Sequence, residues 1–424
     1  MILAHDLINL TLWTAVITIT APLLLLGCEC LLGTTARTTS HHPRQEGEPQ
    51  RASHALPRPA VDVIMPAHNE QRGLALALDS VIASLRSTDR IILVADNCSD
   101  DTATIANRYA AELSKRKNGF ATMEVLERFD DERRGKDYAL QFAFDFLREP
   151  GEIDRVVVIV DSDCRIEADA IDLLATQVAR TQQPAQASYL MHQPESIPMT
   201  AGSLLSEFAF TIKNHVRPLG LARIGGACTL SGSGMAFPRP LLPQLSVPSG
   251  HLVEDMRWTF DMILAGHPVR FCPDAKCSAT FPTTSRATQS QRRRWEHGHL
   301  QLVCSQIPRL IRGWLRQPTW YSALAVLDLL ILPLSLLLMT SLAIGIVVLI
   351  AAIKGHSVAP LLGWMAITGI AGTGMGAAWC RYRPAHAKLR TILAIPLYVV
   401  RKVPLYVRFL LRPERAWIRT DRGG

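Results

Sequence analysis

Charge is nearly absent from three long stretches of this 424-residue chain: Leu7 to Leu32 contains only Glu29, Leu324 to Ile353 only Asp328, and Ala359 to Trp379 none. At about 1.5 Å per helical residue, each is long enough to cross a hydrocarbon core of about 30 Å, which predicts three spanning helices. Between the first two runs the pattern changes. Val61-Asp62-Val63-Ile64-Met65 reads as a strand closed by Pro66, and Leu74 to Leu85 has apolar residues at helical intervals. Ile91 to Ala95 is a second strand, followed by a helix that Ser99 or Asp100 can cap. Val125-Leu126 belongs to a third strand, and Val156 to Val160, apolar on both faces, reads as a buried parallel strand. Strands alternating with helices predict a doubly wound α/β sheet with ligands at the carboxyl ends of its strands.

These patterns divide the chain. Residues 1–33 form an N-terminal spanning helix, 34–56 a linker rich in Thr, Ser, His, Pro and Arg, and 57–290 the α/β domain. Residues 291–319 hold a Gln-Arg-Arg-Arg-Trp motif and an amphipathic helix, 320–380 two spanning helices, and 381–424 a basic tail. Within the amphipathic helix Leu302, Val303, Ile307 and Leu310 mix with Arg309, Arg312 and Arg316, and a kink is expected at Pro308. Thr391 to Leu411 is apolar but interrupted by Arg401, Lys402, Arg408 and two prolines, so it reads as an interfacial helix rather than a fourth span.

Basic residues set the orientation. Arg37, Arg44 and Arg51 follow the first run, Arg309, Arg312 and Arg316 precede the second, and Arg381, Arg383, Lys388 and Arg390 open the tail. The start of the chain is therefore expected outside, with the large middle segment and the tail in the cytoplasm. Such flanks account for the net charge of +8 through contact with anionic lipid, and no nucleic-acid groove is expected. Leu25-Leu26-Gly27-Cys28 looks like a lipoprotein cleavage box, but no basic region precedes it. Nine cysteines without a CxxC pair fit reduced cytoplasmic thiols, and Cys272 and Cys277 lack partners for zinc.

The candidate chemistry lies where the strands end. Asp96 closes the second strand, Asp161-Ser162-Asp163 follows Val156–Val160, and Glu70 lies in the turn after the first strand. Two aspartates one residue apart can offer hard oxygens to a Mg²⁺ or Mn²⁺ ion bridging a diphosphate. Downstream come the small-residue stretch Ser231-Gly232-Ser233-Gly234, then Val253-Glu254-Asp255, then Gln291-Arg292-Arg293-Arg294-Trp295. In this order, beside membrane segments, the motifs resemble the family 2 inverting glycosyltransferases of the cellulose, hyaluronan and chitin-oligosaccharide synthase-like group. An isolated D-x-D more often marks a solvated turn, and Glu-Asp at a helix start is ordinary dipole complementation. The joint pattern is what carries the reading.

The resemblance implies a GT-A fold: a doubly wound mixed α/β sheet domain with flanking transmembrane helices. It implies that Asp96 holds the base or ribose of a nucleotide sugar, with UDP the expected nucleotide. Asp163 would ligate the divalent metal, with Asp161 beside it, and Glu70 would stand at the nucleotide loop. Lys136, in Arg134-Gly135-Lys136, and Arg294 would meet the diphosphate. Asp255, with Glu254 as neighbour, would be the base that takes the acceptor proton. Gly232, Gly234, Gln291 and Trp295 would contact the acceptor, Trp295 by stacking on a sugar ring. Arg292 and Arg293 would face lipid phosphates.

The implied acceptor is a glycan or a polyprenyl- or other lipid-linked sugar, and the implied location a bacterial-type inner membrane with the catalytic domain cytoplasmic. Synthases that polymerise and export carry more spans than three, which leaves room for a homo-oligomer or an export-complex partner. The alternative is an inactive scaffold subunit of a synthase complex, which would be expected to have lost the acids this sequence keeps.

Overall fold

The computed structural model describes residues 2–35, 58–116, 121–148, 154–245 and 253–411. Most of the linker expected at 34–56 lies outside them.

Helix α1 (Ile2–Thr35) precedes the α/β domain. The domain begins with β1 (Val61–Ala67), α2 (Leu74–Ile82), β2 (Arg90–Asp96), α3 (Thr102–Lys115), β3 (Thr122–Arg128), α4 (Lys136–Leu147) and β4 (Val156–Ile159). β5 (Arg165–Ile166), α5 (Ala170–Thr181) and β6 (Ala185–His192) follow. The eight strands form one mixed sheet in the order β3-β2-β1-β4-β7-β6-β8-β5, where β7 is Met235–Pro238 and β8 Arg270–Thr280. β1 is parallel to β2 and β4, and β7 is antiparallel to β4 and β6.

Both faces are covered because the central strands are apolar on both sides. Val63 and Met65 point into a core shared with α2 and α5, while Ile64, Val157 and Ile159 point into one shared with Leu140, Phe144, Phe237 and Trp258. Contrary to the expected stop, β1 runs through Pro66. Its pairing with β4 ends at Ile64, so a residue without an N–H is tolerated there. At the start of α3 it is Asp100 whose carboxylate accepts from Thr102 N, at 3.0 Å.

A wall of helix separates the sheet from the apolar helices: α6 (Ala201–Thr211), a π turn (Ile212–Val216) and α7 (Arg217–Arg223). Leu205, Phe208, Ile212 and Val216 pack with Leu23, Leu26, Ala371 and Trp379, from α1 and from α12 (Ala359–Tyr382). α8 (Glu254–Leu264) and the long α9 (Ser285–Arg316) close the domain; α9 contains Pro308 and remains one helix.

The second apolar run is two helices rather than one. α10 (Trp320–Leu329) ends before Pro333, which caps α11 (Leu334–Ile353) and cannot continue a helix. Asp328 of α10 lies 2.5 Å from Arg217, which also reaches Glu29 of α1 at 2.8 Å, so α10 is pinned to the domain. Among the described residues, three helices are long and apolar enough to cross a membrane: Asp6–Thr35, Leu334–Ile353 and Ala359–Tyr382. The tail segment expected as one helix is a 3₁₀ turn (Leu389–Ala394), α13 (Ile395–Val400) and α14 (Val403–Leu411), each too short to span alone.

Candidate active site

A cleft of about 660 Å³ opens at the carboxyl ends of β1, β2 and β4. Of the residues singled out in the sequence, Glu70, Asp96, Lys136, Asp161, Asp163, Gly232, Glu254, Asp255, Gln291, Arg294 and Trp295 all line it. Gly234 does not; it packs in the sheet, where an added Cβ would sit 2.8 Å from that of Ala187.

Two crossed loops build the end of the cleft that follows β1 and β2. Asn69 and Asn97 take left-handed conformations (φ 53° and 49°) after β1 and β2. Asn69 Oδ1 accepts from Ser99 N at 2.7 Å, and His68 Nδ1 lies 2.6 Å from Asp96 O. His68 is thus satisfied by backbone, as a loop residue would be. Asp96 is buried and held by Arg128 at 2.5 Å, and Arg128 also reaches Asp130. Asp130 in turn anchors the charged turn by accepting from Arg133 N at 2.9 Å.

The centre of the cleft is ionic. Lys136 opens α4 after Gly135, lies 2.5 Å from Asp161 Oδ1 and donates to Gly232 O at 2.7 Å. Gly232 has φ +92°, and a Cβ there would lie 3.3 Å from Asp255 Oδ2, 3.6 Å from Lys136 Nζ and 3.9 Å from Asp161 Oδ2. Base candidate, cation and D-x-D acid therefore converge on one point. Glu254 and Asp255 begin α8, and Asp255 Oδ1 accepts from Met256 N at 2.8 Å.

Burial dominates the electrostatics here. It raises the Asp255 and Asp161 carboxyls above the ordinary range, against the opposing pull of Lys136. Burial also works against the Lys136 ammonium, but Asp161 and Glu254 outweigh it and leave its pKa raised.

At the far end, α9 presents Gln291, Arg294 and Trp295. Gln291 Oε1, Arg294 Nε and Ser231 Oγ are buried without a hydrogen-bond partner among the described residues. Polar atoms left unmade beside a cleft are costly unless a ligand completes them. Trp295 lies 5.7 Å from Phe210 in ring-centroid distance. Arg292, expected at lipid phosphates, instead donates to Ser206 Oγ at 2.6 Å.

Sequence reasoning missed Asp137, Lys213 and Asn214. Asp137 is buried beside Lys136, and burial, then Glu254, pushes its carboxyl up to about 8. Lys213 and Asn214 enter the cleft from the π turn, where Lys213 Nζ lies 3.9 Å from Met256 Sδ. A π turn has no local sequence signature, so nothing in the chain marks Lys213.

The donor set fits a hard divalent cation. Oxygens of Asp161 and Asp163 and the Cys164 sulfur lie within 4.8 Å of one another. Burial holds the Cys164 thiol well above its usual pKa, so it stays protonated and is a poor ligand. Two carboxylates alone leave positions for phosphate oxygens and water, as Mg²⁺ or Mn²⁺ requires.

The profile of the family described as Glycosyltransferase like family 2 matches residues 57–298, more than half of the chain. Over 254 residues the chain is 27% identical to the probable glycosyltransferase YdaM of Bacillus subtilis (strain 168), covering 58% of this chain and 56% of that protein. It thus spans about half the length of that curated relative. The solved mannosyltransferase PcManGT of Pyrobaculum calidifontis, in complex with GDP-Man and Mn²⁺, shares the fold with a TM-score of 0.53 at 20% identity. That likeness covers 95% of this chain and 100% of the other.

Proposed function

The chain belongs to glycosyltransferase-like family 2 and is a glycosyltransferase, and from that premise we propose that it transfers a sugar from a nucleoside-diphosphate sugar to an acceptor hydroxyl, with inversion, at a membrane surface. The observation that carries this reading is the convergence of Asp255, Lys136 and Asp161 around Gly232 in the cleft that Gln291, Arg294 and Trp295 also line.

In this reading Asp255 takes the proton of the acceptor hydroxyl as its oxygen bonds to the anomeric carbon. The bond from that carbon to the diphosphate oxygen breaks in the same displacement, and the diphosphate leaves with the electron pair. With no covalent sugar–enzyme step, an α-linked donor gives a β-linked product. Asp163 and Asp161 are the residues that would hold a divalent cation, which when bound supplies Lewis-acid stabilisation of the leaving diphosphate. Lys136 and Arg294 bring positive charge to the same oxygens. Asp96 and the Asn69 and Asn97 loops receive the nucleoside, while Trp295 and Gln291 orient the acceptor sugar. Glu254 sets the local charge beside the base.

The apolar helices support a multi-pass placement with the cleft on the cytoplasmic side of an inner membrane, where nucleotide sugars are available. A glycan or lipid-linked acceptor of envelope or exopolysaccharide synthesis, in the manner of the cellulose, hyaluronan and chitin-oligosaccharide synthase-like group, is the reading we adopt.

A panel of radiolabelled nucleotide sugars with Mn²⁺ or Mg²⁺, on membranes containing the protein, tests it. UDP- and GDP-sugars both belong in the panel, since the mannosyltransferase of like fold is solved with GDP-Man. Label transferred from one donor, with release of its nucleoside diphosphate, is expected. Folded protein that turns over no donor would contradict the proposal.

A further inference from the structure

Two residues of α9 just after the cleft-facing Trp295, Glu296 and His297, are tied to the tail. Glu296, next to Trp295, pairs with Lys402 Nζ at 2.6 Å and accepts from the Tyr406 hydroxyl. Tyr406 also lies 2.6 Å from Ser335 Oγ of α11. His297 Nε2 lies 3.2 Å from Leu405 O, and its ring meets Phe409 edge-on at 5.1 Å. Arg292 reaches Ser206 Oγ, which lies 3.2 Å from the Tyr398 hydroxyl. The contacting side chains Lys402, Tyr406 and Phe409 recur at four- and three-residue intervals, so Lys402 and α14 after it turn one face to α9.

The other face of the tail is apolar and is not covered by any of the described residues. Leu393 and Leu410 are each 81% exposed, and Leu397, Val400, Val407 and Leu411 are exposed with them. Arg390, Arg401 and Arg408 are exposed alongside. This strip continues the chain directly from α12, a helix long enough to span. Aliphatic side chains interleaved with arginines, next to a spanning helix, complement an anionic lipid surface.

We propose that residues 389–411 form a lipid-seated brace: their outer face rests in an anionic bilayer surface, and their inner face fixes α9 through Arg292, Glu296 and His297, so that Arg294 and Trp295 are held at the cleft. Glu296 is then a positioning residue, acting through its neighbours without touching substrate. This rests on the reading of Arg294 and Trp295 given above. Its consequence is that catalysis depends on the tail and on the bilayer more strongly than donor binding does, because Arg294 is one contact to the diphosphate while the nucleoside end of the cleft is built by other elements.

The test uses the full chain in nanodiscs of anionic phospholipid. One variant pair cuts the inner face (Lys402→Met with Tyr406→Phe), and another charges the outer face (Leu393→Glu with Leu410→Glu). Each pair should lower kcat about tenfold or more, the scale of a small misplacement of reacting groups, with a smaller change in donor KM. Amide hydrogen exchange at residues 291–297 should quicken in both, and Lys402→Arg should keep the wild-type rate. Unchanged kcat and exchange in either pair would overturn the brace, as would a lower unfolding temperature with normal kcat per folded enzyme. Trp295→Ala separates the two ideas. If it transfers normally, the site reading falls and the brace with it; if it is impaired while the tail variants are normal, the brace alone falls.

Discussion

Two glycines two residues apart should fail in opposite ways when each is replaced by alanine. Gly232 and Gly234 have φ values of +92° and +68°, so alanine at either is strained by about 1–3 kcal/mol. At Gly232 the new methyl meets no atom closer than 3.3 Å, and what it meets is Asp255 Oδ2, Lys136 Nζ and Asp161 Oδ2. At Gly234 it would lie 2.8 Å from Ala187 Cβ and 3.2 Å from Cys277 Cβ, both on packed strands that must part. Overpacking of that kind adds about 1–3 kcal/mol, bringing the cost to about 2–6 kcal/mol. Gly234→Ala should therefore lower the unfolding temperature clearly, with near-normal turnover per folded molecule. Gly232→Ala should lose less stability but about a hundredfold in kcat/KM, because its methyl occupies the place where the donor and the base must meet. Thermal unfolding in nanodiscs, paired with nucleoside diphosphate release per folded enzyme, measures both. If Gly232→Ala turned over normally while Gly234→Ala lost turnover per folded molecule, the placement of the reacting centre would be wrong.

Asp163→Ala should weaken Mn²⁺-dependent nucleotide binding at least tenfold by titration calorimetry, about the scale of losing one charged ligand contact; an unchanged metal dependence would contradict its role as ligand. Arg217→Met strands the buried Glu29 carboxyl and the half-buried Asp328 and should cost about 3–5 kcal/mol in denaturant unfolding. Unaltered stability would mean that α1 and α10 are held to the domain by packing alone. The pH profile of kcat/KM carries a sign. Burial raises the Asp255 carboxyl and Lys136 opposes that only in part. The base must be ionised, so activity should fall as pH drops through a value above the ordinary aspartate pKa. An acid limb at or below the ordinary value would remove Asp255 from that role.

The half of the site built by β1, β2 and β4 was legible because those strands are apolar runs ending in acids, and a parallel strand's carboxyl end is where a ligand binds. The helix start at Glu254 and the α9 motif were legible for a similar reason, since each joins polar chemistry to an apolar periodic stretch. Lys213 was not, because its entry into the cleft depends on a π turn that no local pattern announces. The break at Pro333 was visible as a residue, yet the hydropathy of the surrounding leucines outweighed it. What settles it is the pairing of Asp328 with Arg217, a contact across more than a hundred residues. Gly234 belonged to the right stretch but to the wrong layer: Gly232 turns into the cleft, and its neighbour two residues on turns into the sheet. Arg292 was misplaced because its partner, Ser206, lies on a helix that the apolar pattern did not single out.

The most direct test of the central claim compares the wild type with Asp255→Asn, measuring sugar transfer and nucleotide binding on the same nanodisc preparation. Removal of a general base is expected to cost about 10²–10⁴-fold in transfer, with nucleotide affinity nearly unchanged. Transfer that survives in Asp255→Asn, with the protein folded and nucleotide bound, would contradict the account.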